Sequence, residues 1–140
     1  MNTGILIIAH APLASALRLA VLHVFPEVVD GVLALDVPAN EATDLSLARA
    51  QRLLEQLGTR QTLVLTDVLG ATPCNIAQKV VDGVDARLVA GVNLPMLLRT
   101  VNYRHEALDV LVTRALAGGT QSIMQVAVSP APVQQRKAHA

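Results

Sequence analysis

The sequence predicts an α/β fold. An open, mostly parallel sheet of four strands carries helices on both faces, with a C-terminal antiparallel strand at one edge. Three observations lead there. Apolar residues make up 52% of the 140, yet Phe25 and Tyr103 are the only aromatics, so Leu, Val, Ile and Ala must build the core. Short aliphatic runs alternate with stretches of helical periodicity in the order β-α-β-α-β-α-β. The runs are continuous, as in parallel strands covered on both faces.

Gly4 to His10 reads as a fully buried first strand. Pro12 suits the first turn of a helix whose Leu13, Leu17, Ala20, Val21 and Val24 share one face, and Pro26 closes it. Val32 to Asp36 is the second strand. From Thr43 to Leu57, residues Leu47, Ala50, Leu54 and Leu57 fall at helical spacing, and Gly58 supplies a C-terminal stop. Thr62 to Thr66 forms the third strand and delivers Asp67 at its end. Thr72-Pro73 reads as a cap and first helical residue, opening a helix to Val81. Arg87 to Ala90 is the fourth strand, Pro95 opens another helix, and Glu106 to Leu116 is one more. Gly118-Gly119 breaks that pattern, and Ile123 to Val128 suits the antiparallel edge strand.

A chain of this length suits one domain with a real core, here residues 1–128. Residues 129–140, rich in Pro, Ala and Gln, lack apolar periodicity and read as a disordered tail. Eleven basic and eleven acidic side chains cancel. No electrostatic footprint for nucleic acid or an anionic membrane results, and almost no aromatics are available for base stacking. Cys74 is the only cysteine, which excludes an internal disulfide and any cysteine-rich zinc site. The first apolar run stops at Ala9 and has no basic flank, too short for a signal core or a membrane span. A soluble, cytoplasmic protein without cofactor or metal is expected.

In such folds the binding crevice lies outside the carboxyl ends of the strands, where strand order reverses. His10 ends the first strand and Asp67 follows the third, so neighbouring strands would bring imidazole and carboxylate into one crevice. A carboxylate accepting a proton from one ring nitrogen leaves the other free as a nucleophile and stabilises the positive ring that forms on attack. The alternative is a surface histidine and a strand-end aspartate that never meet. Gly70 permits a tight turn after Asp67, and the helix start at Ala71-Thr72-Pro73 presents N–H groups that suit an anion. An ordinary capped helix explains the same residues. Asn93, in the turn Gly91 to Pro95, is a cap or a ligand contact.

Other candidates carry less. His23 and His105 read as surface side chains, His139 falls in the tail, and Cys74 reads as a small buried hydrophobe. No Walker loop or GxGxxG follows the first strand, which argues against ATP as direct donor.

Three separated motifs, in order and each at a strand end, carry a resemblance. They are His10 with Leu13-Ala14 after an aliphatic strand, Asp67-Val68-Leu69-Gly70-Ala71-Thr72-Pro73, and Gly91-Val92-Asn93-Leu94-Pro95-Met96-Leu97. From Ile5 to Val128 the chain resembles the enzyme IIA domain of the mannose-family sugar phosphotransferase system. The resemblance implies a phosphotransferase in which His10 is phosphorylated and Asp67 hydrogen-bonds its other ring nitrogen. Thr72, with Gly70, Ala71 and Asn93, would hold the phosphoryl oxygens. It also implies phosphorylated HPr, the histidine phosphocarrier, as donor and a histidine on an enzyme IIB partner as acceptor during carbohydrate uptake. A homodimer that exchanges its last strand is implied too.

Ala11 departs from the glycine often found after the active histidine. The sequence ends without a IIB domain, so the expected acceptor is a separate chain. A regulatory phosphorelay module without a transport role, a phosphocarrier for a dihydroxyacetone kinase, and a small-molecule-binding α/β module are the alternatives.

Overall fold

The computed structural model describes residues 2–130. Strands β1 (Gly4–His10), β2 (Val32–Val37), β3 (Thr62–Thr66) and β4 (Ala86–Ala90) form one sheet in the order β2-β1-β3-β4. All three neighbouring pairs are parallel, with His10 beside Val37 and Ile8 beside both Leu35 and Thr66. The chain steps from β1 to β2 on one side and returns to the other side of β1 with β3. That reversal makes the carboxyl ends of β1 and β3 the switch point.

Between the strands lie α1 (Leu13–Val24), α2 (Thr43–Leu57), α3 (Thr72–Val81) and α4 (Leu94–Asn102), followed by α5 (Leu108–Gln121). A 3₁₀ turn, Pro26–Val28, follows α1. Strand alternation divides the core in two. Ile5, Ile7 and Ala9 of β1 and Leu63 and Leu65 of β3 pack under α1, α4 and α5, against Val21, Leu97, Val101 and Leu111. Leu6, Ile8 and Val64 face the other way, under α2 and α3, against Ala50, Ile76 and Ala77. Both faces of β1 are therefore covered, which is why it reads as an unbroken aliphatic run. Truncating one of these side chains, such as Ile7→Ala, costs about 2–5 kcal/mol.

Local chemistry sets the helix ends. The α2 helix stops at Gly58, whose φ of 60° is the left-handed conformation expected of a C-terminal glycine. Pro73 and Pro95 sit in the first turns of α3 and α4, where an amide hydrogen has no helical partner to lose. Pro12 immediately precedes α1, and its carbonyl accepts the amide of Ala16.

Two expectations are corrected, and a third is not met within a single chain. Gly118-Gly119 does not end the last helix, which runs on to Gln121. A Cβ on Gly118 would lie 2.8 Å from Arg99 Cβ, and one on Gly119 would lie 2.8 Å from Met96 Cε. The two glycines let α5 approach α4 closely, and tertiary packing outweighs their helix cost of about 1 kcal/mol each. Residues 123–128 form no strand, and Ile123, Met124, Val126 and Val128 are exposed. The longer helix takes up part of the connection, and a segment with no strand beside it has no ladder to join. Thr72 is not a cap either; Ala71 takes that position without a side-chain hydrogen bond, and Thr72 is the first helical residue. Ser129 and Pro130 lie outside any element, and the rest of the expected tail, with His139, falls outside the described residues.

Candidate functional site at the switch point

The pairing of β1 with both β2 and β3 fixes where His10 stands. Its side chain is in phase with Leu6 and Ile8, so it rises on the face covered by α2 and α3. Asp67 follows β3 directly, one strand away. The two meet: His10 Nδ1 lies 2.6 Å from Asp67 Oδ2, and the His10 backbone N–H donates to the same oxygen at 3.1 Å. The second carboxylate oxygen, Oδ1, accepts the amide of Val68 at 3.0 Å. Asp67 is thus held by three donors.

Exposure separates the roles. The His10 side chain is 51% exposed and that of Asp67 only 12%. Burial alone would push the Asp67 carboxyl up. The hydrogen bonds and charge of His10, with the Val68 amide, outweigh it and hold the carboxyl below its ordinary range. An ionised Asp67 accepts the proton on Nδ1, which leaves the lone pair on Nε2 of a neutral ring. Nε2 has no protein partner among the described residues. The ring is therefore oriented, electron-rich at its open nitrogen, and accessible.

His10 forms one wall of a cleft of about 400 Å³. Thr72 and Pro73 from the start of α3, and Pro38, Glu41 and Thr43 from the β2–α2 connection, complete it. Gly70 has a φ of 87°, a conformation that favours glycine, and turns the chain after Asp67 back into α3. Ala71 caps that helix by position, and Thr72 is exposed with its hydroxyl uncommitted. No acceptor for the amides of Gly70, Ala71 or Thr72 is present among the described residues. Thr72, at the helix N-terminus, lines the cleft with His10, and the start of a helix favours negative charge.

Asn93 is placed differently. Its Oδ1 accepts the Met96 amide at 2.9 Å and its Nδ2 donates to the Gly119 carbonyl at 3.0 Å. The side chain caps α4 and ties it to α5, and it does not line the cleft. Cys74 is a buried free thiol in the first turn of α3, as its small apolar character predicts. His23 and His105 are exposed. Ala11 is exposed, and its amide donates to the Val37 carbonyl.

Two features of the site were not legible beforehand. Glu41 lies in a loop without pattern, yet its carboxylate accepts Ser46 Oγ at 2.7 Å and Arg49 Nη1 at 2.7 and 2.8 Å and lines the cleft. Asp36, at the end of β2, accepts both the amide and the hydroxyl of Ser15 and so anchors the first turn of α1 beside His10. A glutamate followed at five and eight residues by a hydroxyl and an arginine was the available signal for the first. Among the described residues no cluster of three or more His, Cys, Asp or Glu side chains is placed to hold a metal ion. No described helix is long and apolar enough to cross a membrane.

Known proteins resemble this chain in sequence and in fold. The mannose-specific EIIAB component of Escherichia coli strain K12 is 32% identical over 97 residues. Those residues are 67% of this chain and 30% of that protein, so the chain spans under a third of the length of this curated relative. Among solved structures, the mannose/sorbose-specific IIA subunit from Enterococcus faecalis superposes with a TM-score of 0.82 at 23% identity, covering 94% of this chain and all of that one. The EIIA component from Streptococcus agalactiae gives 0.78, also at 23% identity, covering 88% and 96%. Those likenesses establish the fold. Residues 4–115 match the family described as the PTS system fructose IIA component, EIIA-man, and the chain belongs to that family.

Proposed function

We propose that this IIA component is a phosphocarrier, taking a phosphoryl group from phosphorylated HPr onto His10 Nε2 and passing it to a histidine of a IIB partner for carbohydrate uptake. The observation that carries the reading is the 2.6 Å contact between His10 Nδ1 and Asp67, which leaves the opposite nitrogen open. In the forward step the Nε2 lone pair forms the new P–N bond. The P–N bond on the donor breaks, and its electron pair stays on the donor ring. The ring of His10 becomes positive and keeps its Nδ1 proton, and Asp67 stabilises that charge. In this reading the uncommitted amides of Gly70, Ala71 and Thr72 and the Thr72 hydroxyl donate to the phosphoryl oxygens. Asn93 serves at one remove, by fixing the start of α4. No further group is needed for a transfer between two imidazoles, where positioning and charge stabilisation suffice.

Incubation with phosphorylated HPr is expected to add one acid-labile, alkali-stable phosphoryl group at His10, read by intact mass and peptide mapping. His10→Ala is expected to take none while remaining folded, as read by circular dichroism. A parent chain that takes no label would overturn the reading.

The same reading includes a cytoplasmic homodimer. The exposed apolar side chains of Ile123, Met124, Val126 and Val128 support it, since a strand exchanged between copies would cover them. Sedimentation is expected to give a dimer for the full chain and a monomer after truncation at Ser122.

A further inference from the structure

The cleft beside His10 has a composition unusual for a site that receives a phosphoryl group. No Lys or Arg lines it, and its one fixed charge belongs to the carboxylate of Glu41. That carboxylate is clamped in place. Ser46 Oγ, on a fully buried residue, and Arg49 Nη1 hold it, and the Glu41 side chain is only 14% exposed. The Ser46 hydrogen bond is the largest influence lowering its pKa; Arg49 reinforces it, and together they outweigh the effect of burial, so the group stays ionised. Arg49 itself is not part of the cleft wall. Of this pair, only the acidic member therefore shares the lining of the cleft with His10.

We propose that Glu41 tunes the phosphoryl-transfer potential of His10: its carboxylate, fixed in the cleft wall by Ser46 and Arg49, repels a phosphoryl group on Nε2 and keeps that group transferable. The inference rests on the phosphocarrier reading and extends it. A carrier that receives from one histidine and gives to another works best when its own phosphorylated form is no energetic trap. A cation in this cleft would bind the phosphoryl oxygens and deepen the well. An anion raises it, and the donors at the start of α3 limit how far. Thr72 and Glu41 thus act on the same group in opposite senses.

The test is the equilibrium of phosphoryl exchange with HPr, measured by mixing each variant with phosphorylated HPr and quantifying both phosphoproteins by intact mass. Glu41→Gln removes the charge and keeps one acceptor oxygen, enough for the Ser46 hydroxyl and one Arg49 hydrogen bond, while the second Arg49 contact is lost. It is expected to shift the ratio toward phospho-His10 by about three- to tenfold, the size of one charge acting across a partly solvated gap. Arg49→Met leaves the carboxylate without its compensating cation and is expected to shift the ratio the other way, toward phospho-HPr. A merely structural role for the clamp would not move the two variants in opposite directions. A Glu41→Gln ratio within twofold of the parent, or both variants moving in the same direction, overturns the proposal while leaving the phosphocarrier reading intact. No label on the parent chain overturns that reading, and the tuning role with it.

Discussion

Asp67 Oδ2 meets His10 twice, accepting its backbone amide at 3.1 Å and facing its Nδ1 at 2.6 Å. One oxygen thus fixes both the peptide that ends β1 and the ring that projects from it. A single carboxylate sets position and tautomer together.

That dual contact separates two substitutions at Asp67. Asp67→Ala removes the orienting acceptor but leaves the nucleophile, and is expected to slow labelling of His10 by about 10²-fold. Asp67→Asn is expected to be slower still. Its amide can donate to Nδ1 and so favour the tautomer that carries the proton on Nε2, where the lone pair is needed. Rapid-quench measurement of the phospho-His10 time course checks both, and parent-like rates in either would remove Asp67 from the mechanism.

Stability should fall in acid for a related reason. Asp67 has a lowered pKa in the folded chain, so it binds its proton more weakly there than in the unfolded chain. The resulting stabilisation is fully present above about pH 4 and is lost as the pH falls through the lowered native value. Glu41 is depressed in the same direction and adds to the slope. Urea unfolding at a series of pH values from 6 to 3 should show a shallower acid loss for Asp67→Asn than for the parent; parallel curves would contradict the assignment.

The α4–α5 contact allows a sharper comparison between adjacent glycines. A Cβ on Gly118 meets Arg99 Cβ, which moves only with its backbone, whereas a Cβ on Gly119 meets the flexible tip of Met96. Gly118→Ala is expected to cost about 1–3 kcal/mol despite its better helix propensity. Gly119→Ala is expected to stay within about 1 kcal/mol of the parent. Denaturant midpoints would rank the two, and a reversed order would refute the packing account.

Asn93 joins the same two helices through its side-chain amide. Asn93→Ala removes the α4 cap and leaves the Gly119 carbonyl without its donor. A loss of about 1–2 kcal/mol is expected, with the rate of His10 labelling reduced no more than twofold. A large drop in rate at unchanged stability would instead place Asn93 in contact with the phosphoryl group.

Much of this molecule could be read without coordinates because its signals are local. The limits of α2 followed from the spacing of Leu47, Ala50, Leu54 and Leu57 and from Gly58. The buried β1 followed from its unbroken aliphatic run. His10 and Asp67 stood out because each is polar where an aliphatic strand ends. The features beyond the reach of local pattern share the opposite character. Gly118-Gly119 is a helix breaker by propensity and a contact surface by packing, and only the position of Arg99 and Met96 distinguishes the two. Ile123 to Val128 has strand-like composition and no strand beside it within one chain; whether a second copy supplies that neighbour is a matter of assembly, which no local pattern encodes. Glu41 escaped notice because its meaning depends on a cleft assembled from three separate parts of the chain.

The neighbouring strands that carry imidazole and carboxylate have a consequence for docking. Sliding one against the other would break ladder hydrogen bonds between β1 and β3 along their whole shared length. In the proposed phosphocarrier reading, His10 is therefore aimed before any donor arrives, and little reorganisation remains for the moment of encounter. In that reading, specificity for a partner falls to the rim of the cleft, where a loop can change without disturbing the ring.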